Sequence, residues 1–448
     1  MNYDETIAYL YSLQKYGIKF GLDNIRKLSA ALGNPHKSFH TIHVAGTNGK
    51  GSTSAVIASI LQAAGFRAGL FTSPHLISFT ERIRTNSEQI PEDVVVGLAS
   101  EIKDIVSRCN DFQPTFFEVV TAIALLYFQR EKVDVAVMEV GMGGRLDATN
   151  IIEPVVSVIT NISFDHRDFL GATLEEIAGE KAGIIKKTVP VVSADQGPEA
   201  SKLIMETSQA ANSPLYTYGK DFSAFLKSAD ASGTCFDYVD GPVRLNDLFV
   251  PLAGEHQMKN SSVAIKAAGI FLDRRGGKDS LSMVHDRIRS GLASTKWPGR
   301  LELIHGNPSI LIDGAHNPAA ADALSETIKK VFLKKYKKII MVLGIMSDKE
   351  IKGIMKPLLP LASEIIVTAP SYSRASSPEH LSGIAASLGF LNVRTAPTVK
   401  DALEMAISCS TLPDRNSSLV VVTGSFYTIG EAKEALGQTG ILTRLREC

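Results

Sequence analysis

One tryptophan and four cysteines are all that this 448-residue chain contains of those two residue types. Cys109, Cys235, Cys409 and Cys448 lie far apart and form no C-x-x-C pair. That spacing argues against a zinc knot or a disulfide framework and for reduced thiols in a cytoplasmic protein. Net charge is missing too, since 47 Lys and Arg balance 47 Asp and Glu. Nucleic acid or an anionic membrane, as a general partner, calls for a basic surplus, so neither is expected. No apolar run approaches the roughly 18 residues of a membrane-spanning helix. The start Met1-Asn2-Tyr3-Asp4-Glu5 lacks the basic region and apolar stretch of a signal peptide. No internal repeat, heptad pattern or low-complexity tract is present. The remaining composition, 44% hydrophobic and 21% charged, is that of a soluble globular chain with room for two or three domains.

What is present is concentrated in Gly46-Thr47-Asn48-Gly49-Lys50-Gly51-Ser52. The apolar run 39–45 before it reads as a strand, and 54–61 after it carries apolar residues at helical spacing. A glycine-bearing turn from strand to helix leaves backbone N–H groups free at the helix N-terminus. With the helix dipole and one lysine they make a cradle for phosphate. The pattern departs from G-x-x-x-x-G-K-[ST] twice: Val44 stands at the first glycine position, and Gly51 pushes the hydroxyl back to Ser52.

From residue 39 to about 195, short apolar strands alternate with helices, with strands expected at 133–140, 155–161 and 189–194. This alternation predicts a doubly wound parallel sheet. Residues 214–252 break it and read as a small antiparallel insert, followed by a helical stretch over 256–293. Ser294-Thr295-Lys296-Trp297-Pro298-Gly299-Arg300 reads as a linker. A second βα series follows, with strands near 310–313, 338–344, 364–368 and 419–423. The expected fold is thus α/β. A P-loop-type N-terminal domain covers 1–294, and a Rossmann-like C-terminal domain covers 295–448.

Ligands of open α/β sheets gather at the C-terminal strand ends. Glu139 falls there, on a neighbour of the P-loop strand, where a Mg²⁺-binding carboxylate of Walker B type belongs. Ser73 and His75 follow the strand 67–72, His166 follows 155–160, and Asp313 and His316 close the first strand of the second domain. Lys181 lies on the helix 173–185. Two polar rims imply a cleft between the domains. The glycines of 141–144 lack G-x-G-x-x-G spacing, so a dinucleotide fold is not indicated.

The segments HVAGTNGKGS, FTSPHL, FTERIR, EVGMGGRLDATN, NISFDH, EKAGI, WPGRLE and DGAHNP resemble those of the folylpolyglutamate synthase and dihydrofolate synthase branch of the Mur ligase family. The match runs in order over nearly the whole chain. The resemblance implies an ATP-dependent ligase that activates a carboxylate as an acyl phosphate and joins it to the amine of L-glutamate. It implies both activities, on dihydropteroate and on folate, in a cytoplasmic monomer. By the same resemblance Thr47, Asn48, Gly49, Lys50, Gly51 and Ser52 bind the ATP phosphates, Asn260 the base, Arg300 the phosphates and Asp313 the ribose. Ser73, Glu139 and His166 hold Mg²⁺, and Lys181 is carbamylated. Phe79, Thr80, Glu81 and Arg82 meet the pterin, Arg374 the glutamate carboxylate, and His316 the acyl-phosphate end of the cleft. Two alternatives stay open at this stage: a ligase of the same family acting on muramyl peptides, and a P-loop ATPase without ligase function.

Overall fold

The computed structural model describes residues 1–17, 21–108, 112–274, 281–410 and 414–438. Eight strands build the first sheet: β1 (His40–Ala45), β2 (Ala68–Phe71), β3 (Ile83–Thr85), β4 (Glu88–Gln89), β5 (Val135–Glu139), β6 (Val156–Ile159), β7 (Val191–Ser193) and β8 (Leu215–Thr217). Their order is β4-β3-β2-β5-β1-β6-β7-β8. Only the β3 and β4 pairings are antiparallel. β1 lies in the middle with every residue after His40 buried, as a parallel strand covered on both faces requires. The helix Lys50–Ala63 packs against the helix Glu255–Arg274. Ala55, Ala58, Ala264 and Ala268 on these two helices belong to the same buried core.

β9 (Phe222–Asp230), β10 (Gly233–Asp240) and β11 (Val243–Val250) form a separate antiparallel sheet. The expected insert is therefore real but starts later. Leu215–Thr217 belongs to the large sheet, pairing parallel with β7. The helical stretch over 256–293 divides into Glu255–Arg274 and Leu281–Ala293.

The second large sheet contains β12 (Glu302–Ile304), β13 (Ser309–Ile312), β14 (Lys338–Leu343), β15 (Glu364–Thr368), β16 (Val393–Ala396) and β17 (Ser418–Thr423), in the order β12-β13-β17-β14-β15-β16. The four interior strands are those expected from sequence. The two edges, β12 and β16, are additional. Each is only three or four residues long and partly exposed, so neither carries the apolar run that marks a buried strand. Among the described residues no helix is long and apolar enough to cross a membrane. The C-terminal ends of the central strands in both large sheets converge on one cleft, whose linings are given below.

Candidate active site

β1 ends at Ala45, and the chain turns through Gly46–Gly49 into the helix Lys50–Ala63. Thr47 and Asn48 N–H groups both donate to Asn161 O, at 2.7 and 3.2 Å, tying the loop to the segment after β6. The Thr47 hydroxyl closes the tie by donating to Ser163 O at 3.0 Å. Gly49 caps the helix with φ +88°, a left-handed position that suits glycine. Gly51 answers a different demand. A Cβ there would lie 2.6 Å from Cζ2 of Trp297, so the indole of the linker rests directly on the first turn of the helix. The extra glycine after the lysine is thereby accounted for.

Lys50 Nζ donates to Gly46 O and Thr47 O, both at 3.1 Å. Lys181, on the helix Leu174–Ala182, reaches the same Gly46 O from the other side at 3.0 Å. Lys181 is 4% exposed. Burial first, and then the neighbouring Lys50 charge, pull its ammonium down to about 7. Glu139 closes β5 opposite Val44 of β1 and is 3% exposed. Its Oε2 accepts the Ser73 N–H at 3.3 Å. Burial raises its carboxyl to about 7, although Lys50, the Ser73 N–H, Arg300 and Arg82 all pull the other way.

From the second sheet, Asp313 follows β13 and accepts the Leu301 and Ala315 N–H groups, at 3.0 and 2.9 Å. The Arg300 guanidinium lies over the Phe426 ring, 4.5 Å from its centroid. His316 Nδ1 pairs with Gly314 O at 2.8 Å, which turns Nε2 toward Asp165 at 3.4 Å. Asp165 also takes Lys349 at 2.6 Å and the Asn317 amide at 3.2 Å. Burial alone would raise the Asp165 carboxyl. The His316 hydrogen bond and the His316, His166 and Lys349 charges outweigh burial and hold it well below the usual carboxylate range. Asn317 and Asn48 exchange amide hydrogen bonds at 3.0 and 3.1 Å. Asp165 and Asn48, from the first sheet's rim, are thus stitched to three residues of the second.

Thr47, Asn48, Gly49, Lys50, Gly51, Ser52, Ser73, Glu139, His166, Lys181, Asn260, Arg300, Asp313 and His316 all line a single cavity of about 440 Å³. These fourteen positions are scattered from 47 to 316 in sequence, and the fold brings every one of them together. Arg82 and Arg374 line a second cavity of about 560 Å³ that shares Ser73, His166 and His316 with the first. Arg374 donates to the Tyr372 hydroxyl at 2.8 Å, and Tyr372 stacks on Tyr427 with ring centroids 4.1 Å apart.

Phe79 and Thr80 lie apart from both cavities. Phe79 is 3% exposed in the core beside Phe71 and Ile83, and Thr80 is buried with its hydroxyl on Gln89 at 2.6 Å. Neither lines either cavity. Glu81 accepts the N–H groups of Leu76, Ile77 and Ser78 and so shapes the Ser73 loop, while Arg82 lines the second cavity. Phe116 and Phe117 supply the aromatic wall instead, at the start of the helix Phe116–Arg130. Asp165, Asp147, Lys349 and Phe426 also line the cavities without having been singled out from sequence. For Phe116 the signal was the Thr115–Glu118 capping box, which fixes where that helix begins but not what it faces.

The Mur ligase middle domain family matches residues 44–268, and the Mur ligase glutamate ligase domain family matches 299–426. Dihydrofolate synthase/folylpolyglutamate synthase of Bacillus subtilis is 36% identical over 439 residues, 97% of this chain and 99% of that one. The folylpolyglutamate synthase of Mycobacterium tuberculosis, complexed with ADP, superposes with a TM-score of 0.90 at 33% identity, covering 98% of this chain and 100% of that one. Escherichia coli FolC in complex with DHPP and ADP superposes at 0.85 and 32% identity, covering 97% and 98%. With both halves of the cleft matched and the whole length aligned, the chain belongs to the Mur ligase family, in its folylpolyglutamate synthase/dihydrofolate synthase branch.

Proposed function

We propose that the protein joins L-glutamate to dihydropteroate and to folate glutamates at the expense of ATP. The observation that carries this reading is the junction of two unlike cavities at Ser73, His166 and His316. One is lined by the phosphate loop, three lysines and Arg300, the other by several aromatic rings with Arg82, Lys349 and Arg374. The ADP complex of the Mycobacterium tuberculosis relative and the DHPP and ADP complex of Escherichia coli FolC support it. The acid lies in the aromatic cavity with its carboxylate at the junction and attacks the γ-phosphorus, so that ADP leaves. The neutral amine of glutamate then attacks the acyl carbon. Phosphate departs with the bonding pair, and the amine proton is released.

In this reading Lys50 and Arg300 offset charge on the phosphates during transfer. Asn260 meets the base, Asp313 the ribose, and the Thr47–Ser52 loop the phosphate oxygens. His316, oriented by Gly314 O and Asp165, faces the acyl phosphate, and Arg374 meets a glutamate carboxylate. The domain boundary is drawn at 294/295.

The residues fit a Mg²⁺ ion. Glu139 is a buried carboxyl group that accepts the Ser73 N–H and lines one cavity with Ser73 and the phosphate loop, and Mg²⁺ takes hard oxygen donors while keeping positions for phosphate or water. Ser73, Glu139 and His166 would hold it, and it would supply neutralisation of phosphate charge. Burial and the neighbouring Lys50 charge lower Lys181 to about 7, which favours the neutral amine that carbamylation needs. Its nitrogen would bond to the carbon of CO₂ and release a proton, giving an anion in a site crowded with cations. The same reading takes the working unit as a cytoplasmic monomer without nucleic-acid or membrane partners.

The test is ligation assayed separately with dihydropteroate, tetrahydrofolate and a UDP-linked muramyl peptide, with products identified by mass spectrometry. Glutamate-dependent ADP release with the two pteridine acids is expected. ADP release independent of any acid, or turnover of the muramyl substrate alone, would overturn the reading.

A further inference from the structure

Lys433 lies on the helix Phe426–Ala435 with its side chain 4% exposed, and the reaction above makes no use of it. Its ammonium donates to both carboxylate oxygens of Glu302, at 2.9 and 2.7 Å. Glu302 Oε2 in turn accepts the Gly299 N–H at 2.7 Å. The Gly299 carbonyl accepts the Gly314 N–H at 3.1 Å, and the Leu301 N–H goes to Asp313 at 3.0 Å. The backbone is therefore pinned on both sides of Arg300, whose side chain enters the nucleotide cavity.

The helix that carries Lys433 holds Arg300 a second time, because its first residue, Phe426, lies under the guanidinium at 4.5 Å. Phe426 and Lys433 are about two turns apart on one rod. One end carries the platform for the guanidinium, and the other anchors the peptide that launches the side chain. Stability alone does not account for charges in this place. Apolar residues of similar volume usually serve a buried position as well as an ion pair or better. An apolar pair, however, offers no acceptor to the Gly299 N–H.

We propose that Glu302 and Lys433 are positioning residues for nucleotide binding, fixing the Gly299 peptide and through it the direction in which Arg300 enters the cavity. The proposal rests on the nucleotide reading of that cavity. A long arginine held ready in its bound direction loses less freedom when the ligand arrives.

Two matched double variants isolate the effect. Glu302→Gln with Lys433→Met removes both charges but keeps a carbonyl facing Gly299. Glu302→Leu with Lys433→Met removes the charges and the acceptor. By calorimetry on the full chain, the Leu/Met variant is expected to bind ADP about tenfold more weakly than the Gln/Met variant, the worth of one lost hydrogen bond to a buried donor. KM for ATP should rise in step, with KM for the pteridine acid unmoved, a split that general loosening would not produce. Equal ADP affinity in the two folded variants would overturn the proposal. If either fails to fold, Glu302→Asp decides. It retains a carboxylate for Lys433 but draws it back from Gly299, and wild-type ADP affinity there would equally overturn the idea. Arg300→Ala separates the two layers of argument. Unchanged ADP affinity in Arg300→Ala removes the nucleotide role of Arg300 and the proposal with it. Weakened binding in Arg300→Ala beside normal binding in the Glu302 variants defeats the positioning proposal alone.

Discussion

The two cavities that meet at Ser73, His166 and His316 are built from opposite materials. The nucleotide-side cavity is made of loop backbone, Lys50, Lys181, Lys259, Arg300 and buried carboxylates, and hydrogen bonds set its geometry. The acceptor-side cavity is walled by Phe116, Phe117, Tyr372, Phe426 and Tyr427, and side-chain packing sets its shape. The cradle leaves no room for side chains at Gly46, Gly49 and Gly51, where a Cβ would meet Thr160, Asn260 and Trp297, whereas an aromatic wall can be reshaped one ring at a time. The first should define what reaction occurs and the second which acid enters.

The sharpest way to break that contrast lies outside both cavities. Phe79→Ala empties a core position and should cost about 3–5 kcal/mol of stability, measured by denaturant unfolding. If it instead raises KM for the acid in a protein of normal stability, Phe79 is a ligand contact after all and the wall has been drawn wrongly. Within the cradle, Lys50→Ala should lower turnover by on the order of 10²–10³ while leaving the fold intact. Near-normal steady-state ligation would remove the lysine from the reaction.

On the aromatic side, Phe117→Ala should raise KM for dihydropteroate or tetrahydrofolate by about tenfold, the worth of one ring face, and leave KM for ATP alone. Equal effects on both substrates would mean that the two cavities are not separable. The smallest expected effect concerns Lys181. Because burial lowers its ammonium to about 7, the folded state holds the charged form at a cost. That cost is full below about pH 7 and fades as pH rises toward the unfolded value near 10.5. Lys181→Met should therefore melt a few degrees higher than the parent at pH 6, with the advantage shrinking at higher pH in CO₂-free buffer. An advantage that grows with pH would reverse the assignment. In the same background, activity should fall, and short carboxylic acids should restore part of it by replacing a missing anion.

The cradle was legible in sequence because strand, turn, lysine and helix are contiguous, and each has a local signature in the order the physics needs. Glu139, Asp313 and His316 were legible for a related reason. They end or closely follow apolar strands, and strand ends of parallel sheets point at one rim. The aromatic wall was not. Phe116 and Phe117 begin a helix whose remaining residues read as core, and periodicity does not tell which end of a buried helix reaches a cavity. Phe79 is the converse case: it is packed in the core beside the site, and an aromatic residue in a motif is as apt to support a loop as to touch a ligand. Asp165 sits one residue before His166, yet its role depends on Lys349, 184 positions away, a pairing no local pattern carries. The edge strands β12 and β16 were lost because short, half-exposed strands have no apolar run to find.

Trp297 gives the molecule an optical property. It is the chain's one tryptophan, its indole rests on Gly51 beside Lys50, and the Arg84 guanidinium lies 5.6 Å from its ring centroid. Anionic phosphate arriving within a residue of that ring changes the electric field across it, and any shift of the linker changes its exposure. Emission excited selectively in the indole therefore has a single source among the chain's aromatic residues, placed where the nucleotide loop meets the second domain. Titration with ADP should move its intensity or wavelength in one saturable step, without label or engineered reporter. A flat emission trace through saturation would mean that the indole and the loop beneath it keep the same relation whether or not nucleotide is bound.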